Sequence, residues 1–138
     1  MPTLSVIGCG RVGTTLSRVW SDAGVFGIGD VLNRRPGSAR AAVELVGAGR
    51  PVDDWAALGP ADVFMLSVPD DAIAPCARRL AQRNVVAPGT VAFHCSGARS
   101  SDLLAELRAA GAEVASLHPV KSFADPRSAA KTFPGTLC

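Results

Sequence analysis

The chain has 138 residues, 48 % of them hydrophobic and 19 % charged, with a formal net charge of +2. That length suits one domain with a substantial core, and the composition excludes a disordered polar chain. The nearly balanced charge gives no reason to expect nucleic acid or an anionic membrane as partner, and no window reaches the roughly 18 uninterrupted apolar residues of a membrane span.

No basic segment followed by an apolar stretch and a cleavage site opens the chain, so the expected location is the cytoplasm. Cys9, Cys76, Cys95 and Cys138 are far apart and form no C-x-x-C pair. Reduced thiols are therefore expected rather than a zinc site or a redox dithiol. Cys95 beside His94 is a poor nucleophile and base, because neighbours on a strand point to opposite faces.

Short apolar runs alternate with helical patterns. Leu4 to Ile7 reads as a buried strand, followed by Val12, Leu16, Val19, Trp20 and Ala23 at helical spacing, with Gly24 as the stop. Ile28 to Leu32 reads as a second strand and Ser38 to Val46 as the helix after it. A weak third strand is expected at Arg50 to Val52, then a turn or two of helix around Asp54 to Leu58. Asp62 to Val68 is a continuous apolar run of the kind buried on both faces, ended by Pro69.

Asp71 suits an N-cap, with Pro75 in the first turn of a helix running to about Gln82. Thr90 to Cys95 reads as a fifth strand. Ser101 to Ala110 reads as a helix capped by Ser100 or Ser101 and closed by Gly111, and Glu113 to His118 as a sixth strand. After Pro119 the pattern fades.

Six strands with intervening helices imply an α/β protein with a parallel sheet and helices on both faces. The expected architecture is the Rossmann-type doubly wound sheet, with strand order 3-2-1-4-5-6 and ligand at the switch point between the first and fourth strands. Residues 1–138 are read as one dinucleotide-binding domain.

The glycines at 8, 10 and 13 fall where that fold needs them. Gly8 allows the tight turn, Gly10 keeps side-chain atoms away from a pyrophosphate, and Gly13 lets the helix approach the sheet. Free N–H groups of the first helical turn and the positive end of the helix dipole then face the phosphates. Three glycines in a glycine-rich chain carry little weight alone; the strand before them and the helix after them give the pattern its meaning.

The end of the second strand selects the nucleotide. An acid there would accept from ribose hydroxyls, but the place holds Asn33, Arg34 and Arg35. Guanidinium groups bind phosphate through paired, charge-assisted hydrogen bonds, so NADP is expected, with NAD the alternative if Asp30 is the ribose acid. Ser38 adds a hydroxyl, and Arg11 can reach the same phosphate or the pyrophosphate. The arginines also argue against a methyltransferase binding S-adenosylmethionine, which wants an acid at that place.

Ser67, Val68 and Pro69 leave the fourth strand beside the glycine loop and are expected along the ribose. His94 and Ser96 leave the fifth strand, and His118 and Lys121 the sixth, onto the half of the edge where nicotinamide and substrate meet. These four are the candidates for orienting substrate or passing a proton, against the plainer reading of each histidine as a hydrogen-bonded strand-end residue. Two histidines with no carboxylate at a completing spacing make no metal site.

"VIGCGRVGTTL", "NRR", "LSVPDDAI", "HCSGARSSDLL" and "SLHPVKSFAD" together resemble the N-terminal Rossmann domain of the 6-phosphogluconate dehydrogenase-like superfamily. The nearest group is NADP oxidoreductases with an uncharacterised helical C-terminal domain; pyrroline-5-carboxylate reductases are similar but more distant. The resemblance implies Gly8, Cys9, Gly10, Arg11, Val12 and Gly13 at the pyrophosphate, and Asn33, Arg34 and Arg35 around the adenosine phosphate. It implies Ser67, Val68 and Pro69 along the ribose and a substrate side near Ser96, Gly97 and His118.

Such proteins normally continue into a helical domain that closes the substrate cleft and forms a homodimer, and the start of that region is expected after about residue 125. The leading expectation is the NADP(H)-binding domain of an oxidoreductase acting on an unknown small substrate. The rival is a non-catalytic module that binds or senses a dinucleotide.

Overall fold

The computed structural model describes residues 1–119, 130, 133–135 and 138. Its strands are β1 (Thr3–Ile7), β2 (Gly27–Leu32), β3 (Arg50–Val52), β4 (Val63–Leu66), β5 (Val91–His94) and β6 (Glu113–Ser116). Its helices are α1 (Arg11–Asp22), α2 (Pro36–Val46), α3 (Asp70–Gln82) and α4 (Ala105–Ala109). Every strand pair is parallel, in the order β3-β2-β1-β4-β5-β6. This is the expected doubly wound α/β sheet, with its switch point between β1 and β4.

Alternation along the strands builds two cores. In β4 all four residues are buried: Phe64 and Leu66 face one side, Val63 and Met65 the other. The first side is filled by Ile73, Ala77 and Leu80 of α3 with Leu104 and Leu107, the second by Leu16 of α1 with Ala39 and Ala42 of α2. A strand buried on both faces needs no polar alternation, which is why "VFML" reads as a continuous apolar run. Among the described residues, no helix is long and apolar enough to cross a membrane.

The element ends differ from the pattern in places with physical causes. Helix α3 begins at Asp70 with Pro69 at the N-cap, so Asp71 lies in the first turn rather than capping it. Both carboxylates then stand against the positive end of the helix. Pro75 is consequently beyond the first turn, where it removes one backbone donor from the interior of the helix. The segment after β5 is a 3-10 turn, Ser101–Leu104, running into the short α4; Ser100 caps it by accepting from Asp102 N–H at 3.2 Å.

Asp30 settles where β2 ends. It is 8 % exposed in the middle of the strand, and its oxygens accept from Arg50 Nε and Nη2 at 2.8 and 2.9 Å and from Gly59 N–H at 2.8 Å. Fully engaged inside the protein, it cannot serve as the ribose acid, and β2 continues to Leu32. Burial pushes its carboxyl up, but the Arg50 hydrogen bonds, the Gly59 N–H and the Arg50 charge outweigh this and hold it below the ordinary value.

A depressed carboxyl contributes stability above its ordinary value near about 4 and loses it as pH falls through the lower folded value. Asp30→Asn is therefore expected to cost about 1–2 kcal/mol at pH 7, with the gap from the parent narrowing toward pH 3. Urea unfolding at the two pH values checks this.

Candidate dinucleotide site

Gly8 ends β1 with φ +79°, a conformation that favours glycine, and its N–H donates to Leu32 O at 2.8 Å. A Cβ on Gly8 would run into Val68 and stand 2.8 Å from Ser67 O. A Cβ on Gly13 would strike the Ser67 side chain and stand 3.2 Å from Gly8 O. These two glycines are thus required by the chain itself. Gly10 is different: a Cβ there would meet nothing within 4 Å. The space in front of Gly10 is open, as a dinucleotide would require.

The backbone around that space presents donors. Gly10 caps α1, and the N–H groups of Arg11, Val12 and Gly13 find no backbone acceptor among the described residues; the first helical bond is Thr14 N–H to Gly10 O at 2.9 Å. No acidic side chain occupies that first turn. Unpaired N–H groups at the positive end of a 12-residue helix are donors with which an anion could pair.

Three side chains hold the loop in shape. Ser67 donates from Oγ to Gly8 O and from N–H to Ile7 O at 2.9 Å, tying the end of β4 across the switch point. Asn33 accepts from Cys9 N–H through Oδ1 and donates from Nδ2 to Cys9 O at 3.4 Å and Ser38 Oγ at 2.6 Å. Its amide is thereby spent on positioning the loop and the start of α2. An acid at 33 could not donate to Cys9 O or Ser38, so the loop geometry itself favours the amide.

The thiol of Cys9 is 3 % exposed and points inward; burial pushes its pKa up, with Thr14 and Ser17 hydroxyls opposing. Only its backbone borders the open space.

The arginines divide sharply. Eleven lie in the described part, and seven have partners. Arg18 pairs with Asp22, Arg50 with Asp30, Arg78 with Glu106, Arg99 with Asp70 and Arg108 with Asp102. Arg83 donates to Ala56 and Leu58 carbonyls, and Arg79 lies over the Trp55 ring.

The other four are Arg11, Arg34, Arg35 and Arg40, whose side chains make no hydrogen bond or ion pair with the described residues; all four are exposed. Arg11 opens α1, Arg34 and Arg35 bridge β2 to α2, and Arg40 lies in the second turn of α2. Among the described arginines the unpaired positive charge therefore gathers on the β1 and β2 side of the switch point. Arg40 was missed in the sequence; its signal was its place one helical turn beyond Pro36 at an arginine-rich corner.

On the other side of the switch point, Val68 packs near Gly8 and Pro69 is exposed. His94 is fully buried, with Nδ1 accepting from Ser96 N–H at 3.1 Å and Nε2 facing Ser100 O at 2.7 Å. A ring nitrogen that accepts from a backbone N–H is bare, so the proton is on Nε2. Both nitrogens are thus engaged by the chain, and His94 braces the loop after β5.

Ser96 is half-buried and accepts from Ala98 N–H at 3.2 Å. His118 is exposed, two residues beyond β6, with Nδ1 3.3 Å from Cys95 O. The structure thus brings Ser96, Gly97 and His118 to one edge. Lys121 lies outside the described residues. The Cys95 thiol is pushed up to about 12, by burial first and then by the Cys138 charge, which removes it as a nucleophile.

Residues 2–119 match the family model described as the Rossmann-like domain. The chain belongs to the Rossmann-like domain family.

Solved structures agree with that fold. This Rossmann-like domain is similar to arogenate dehydrogenase from Synechocystis, with TM-score 0.72 and 18 % identity over 89 % of this chain and 42 % of that one. It is similar to prephenate dehydrogenase from Aquifex aeolicus, with TM-score 0.71 and 20 % identity over 91 % of this chain and 45 % of that one. It is also similar to an imine reductase variant from Myxococcus stipitatus in complex with NAD+, with TM-score 0.70 and 20 % identity over 92 % and 43 %.

At such identities the likeness is one of fold, and the Rossmann-like domain spans less than half the length of each of these chains. No curated protein matches its sequence significantly.

Proposed function

We propose that this Rossmann-like domain binds NADP(H) and serves as the cofactor-binding half of an oxidoreductase that moves a hydride to or from a small substrate. The observation that carries the cofactor reading is the sorting of the arginines. Among the described residues those elsewhere are paired, and those left over flank the glycine loop and the end of β2, where a 2′-phosphate would lie. Exposed guanidinium groups with no internal partner are ready to make paired, charge-assisted hydrogen bonds to phosphate.

In this reading the N–H groups of Arg11, Val12 and Gly13 hold the pyrophosphate, with the backbone of Cys9 and Gly10 alongside. Arg34 and Arg35 hold the 2′-phosphate, with Ser38 beside them and Arg40 within the same field. Asn33 acts by holding the loop. Ser67, Val68 and Pro69 border the nicotinamide ribose.

A bound nicotinamide supplies the hydride chemistry. At the substrate end, Ser96 orients substrate and His118 holds the proton that accompanies hydride transfer, while His94 keeps the loop between them in place. Three observations support this division: the exposure of His118, the burial of His94, and the shared edge of Ser96 and His118. A cytoplasmic location and a homodimer built through a further helical region complete the proposal. Titration with NADPH and NADH tests the cofactor reading directly.

A further inference from the structure

We infer that Gly97 is a positioning residue for His118, the seat on which the imidazole is held with its Nε2 lone pair available. The inference rests on the proposed role of His118 at the hydride-transfer end of the sheet. A Cβ on Gly97 would stand 2.7 Å from Cδ2, 2.8 Å from Cγ and 2.9 Å from Nε2 of the His118 ring. Side-chain carbons do not approach that closely, so the ring and a Cβ cannot share the space. Gly97 is not among the residues with positive φ, so its backbone does not demand glycine. The demand comes from the ring.

The seat is fixed from beneath. Buried His94 bonds both Ser96 N–H and Ser100 O, closing the loop that carries Gly97. The same loop offers Cys95 O to His118 Nδ1 at 3.3 Å. A nitrogen facing a carbonyl must carry the proton, so Cys95 O selects the Nδ1–H form and leaves the lone pair on Nε2. Among the described residues Nε2 has no partner. In the proposed reaction that atom accepts the proton from a substrate hydroxyl or amine as the carbon bearing that group gives its hydride to the oxidised cofactor and the carbonyl or imine double bond forms, and returns it in the reverse direction.

A double-mutant cycle with an NMR readout tests the seat. Gly97→Ala is expected to lower Tm by roughly 4 °C or more in the parent chain, the scale of about 1 kcal/mol for a domain of this size, and by less than half as much in the His118→Ala background. In Gly97→Ala, the ring nitrogens of His118 are expected to leave the Nδ1–H pattern for the mixture of a free imidazole, while those of His94 stay unchanged.

Equal Tm losses in both backgrounds would overturn the inference. So would unchanged His118 resonances in a folded Gly97→Ala protein. If Gly97→Ala alone does not fold, refolding of the double variant supports the seat and failure of the double variant refutes it. NADPH titration of the parent chain separates the two levels: absent binding with an intact cycle would remove the proposed function and leave the seat standing.

Discussion

Alanine at Arg34 or Arg35 is expected to weaken NADPH binding by about 10- to 100-fold for each residue, while NADH binding stays within about twofold. The magnitude follows from losing a hydrogen bond between charged partners, about 1.5–3 kcal/mol. The selectivity follows because the 2′-phosphate is what NADPH has and NADH lacks. Neither arginine has a hydrogen bond or ion pair to lose among the described residues, so the variants are expected to unfold at the parent's temperature. Fluorescence titration at fixed salt, with a melting curve for each variant, checks both halves. A preference for NADPH that survives the double replacement would move the 2′-phosphate elsewhere.

The glycine loop offers the second large effect, because its glycines are required for different reasons. Gly8→Ala forces an L side chain into φ +79° and drives its Cβ against Val68 and the Ser67 carbonyl. The left-handed conformation costs roughly 1–2 kcal/mol and the overpacking a similar amount, so a loss of about 2–4 kcal/mol is expected in urea unfolding. Gly10→Ala meets nothing within 4 Å and its φ of −84° is negative, so its backbone is less demanding than that of Gly8, although ψ of −145° lies outside the main helical and extended wells.

Its stability is therefore expected to fall by about 1–2 kcal/mol, less than in Gly8→Ala, while dinucleotide affinity falls at least tenfold because the Cβ enters the pyrophosphate space. Gly10→Ala separates ligand from fold. Undiminished binding in that variant would place the phosphates away from the loop.

Much of this was legible in the chain because the backbone imposes it. A run such as "VFML", set among alternating strand and helix patterns, suits a strand buried on both faces of a parallel sheet, and Gly8 and Gly13 are set by the contacts of β1, β4 and α1 with one another. The parallel order followed from the alternation of strands and helices. The place of Arg34 and Arg35 followed from counting to the end of β2.

Other features were illegible because they depend on which partner a side chain finds in space. Asn33 reads as a ligand-facing residue by position, yet its amide is bound to the Cys9 backbone and Ser38. His94 and His118 sit at equivalent strand ends in the sequence, and only packing separates the buried brace from the exposed ring. Asp30 could not be assigned without Arg50 and Gly59, which close on it from 20 and 29 residues away. The α3 boundary failed for a local reason: Pro69 fits the N-cap position as well as ending a strand, so the helix begins one residue before the acid that resembled its cap.

The most direct test of the account is titration of the parent chain with NADPH and NADH under identical buffer and salt, followed by nicotinamide fluorescence. Saturable binding of both, with NADPH at least tenfold tighter and the difference shrinking as salt rises, is the result predicted by the four arginines unpaired among the described residues and an open helix N-terminus. Equal affinities would contradict the assignment of Arg34 and Arg35, and absence of binding by both would contradict the dinucleotide site itself.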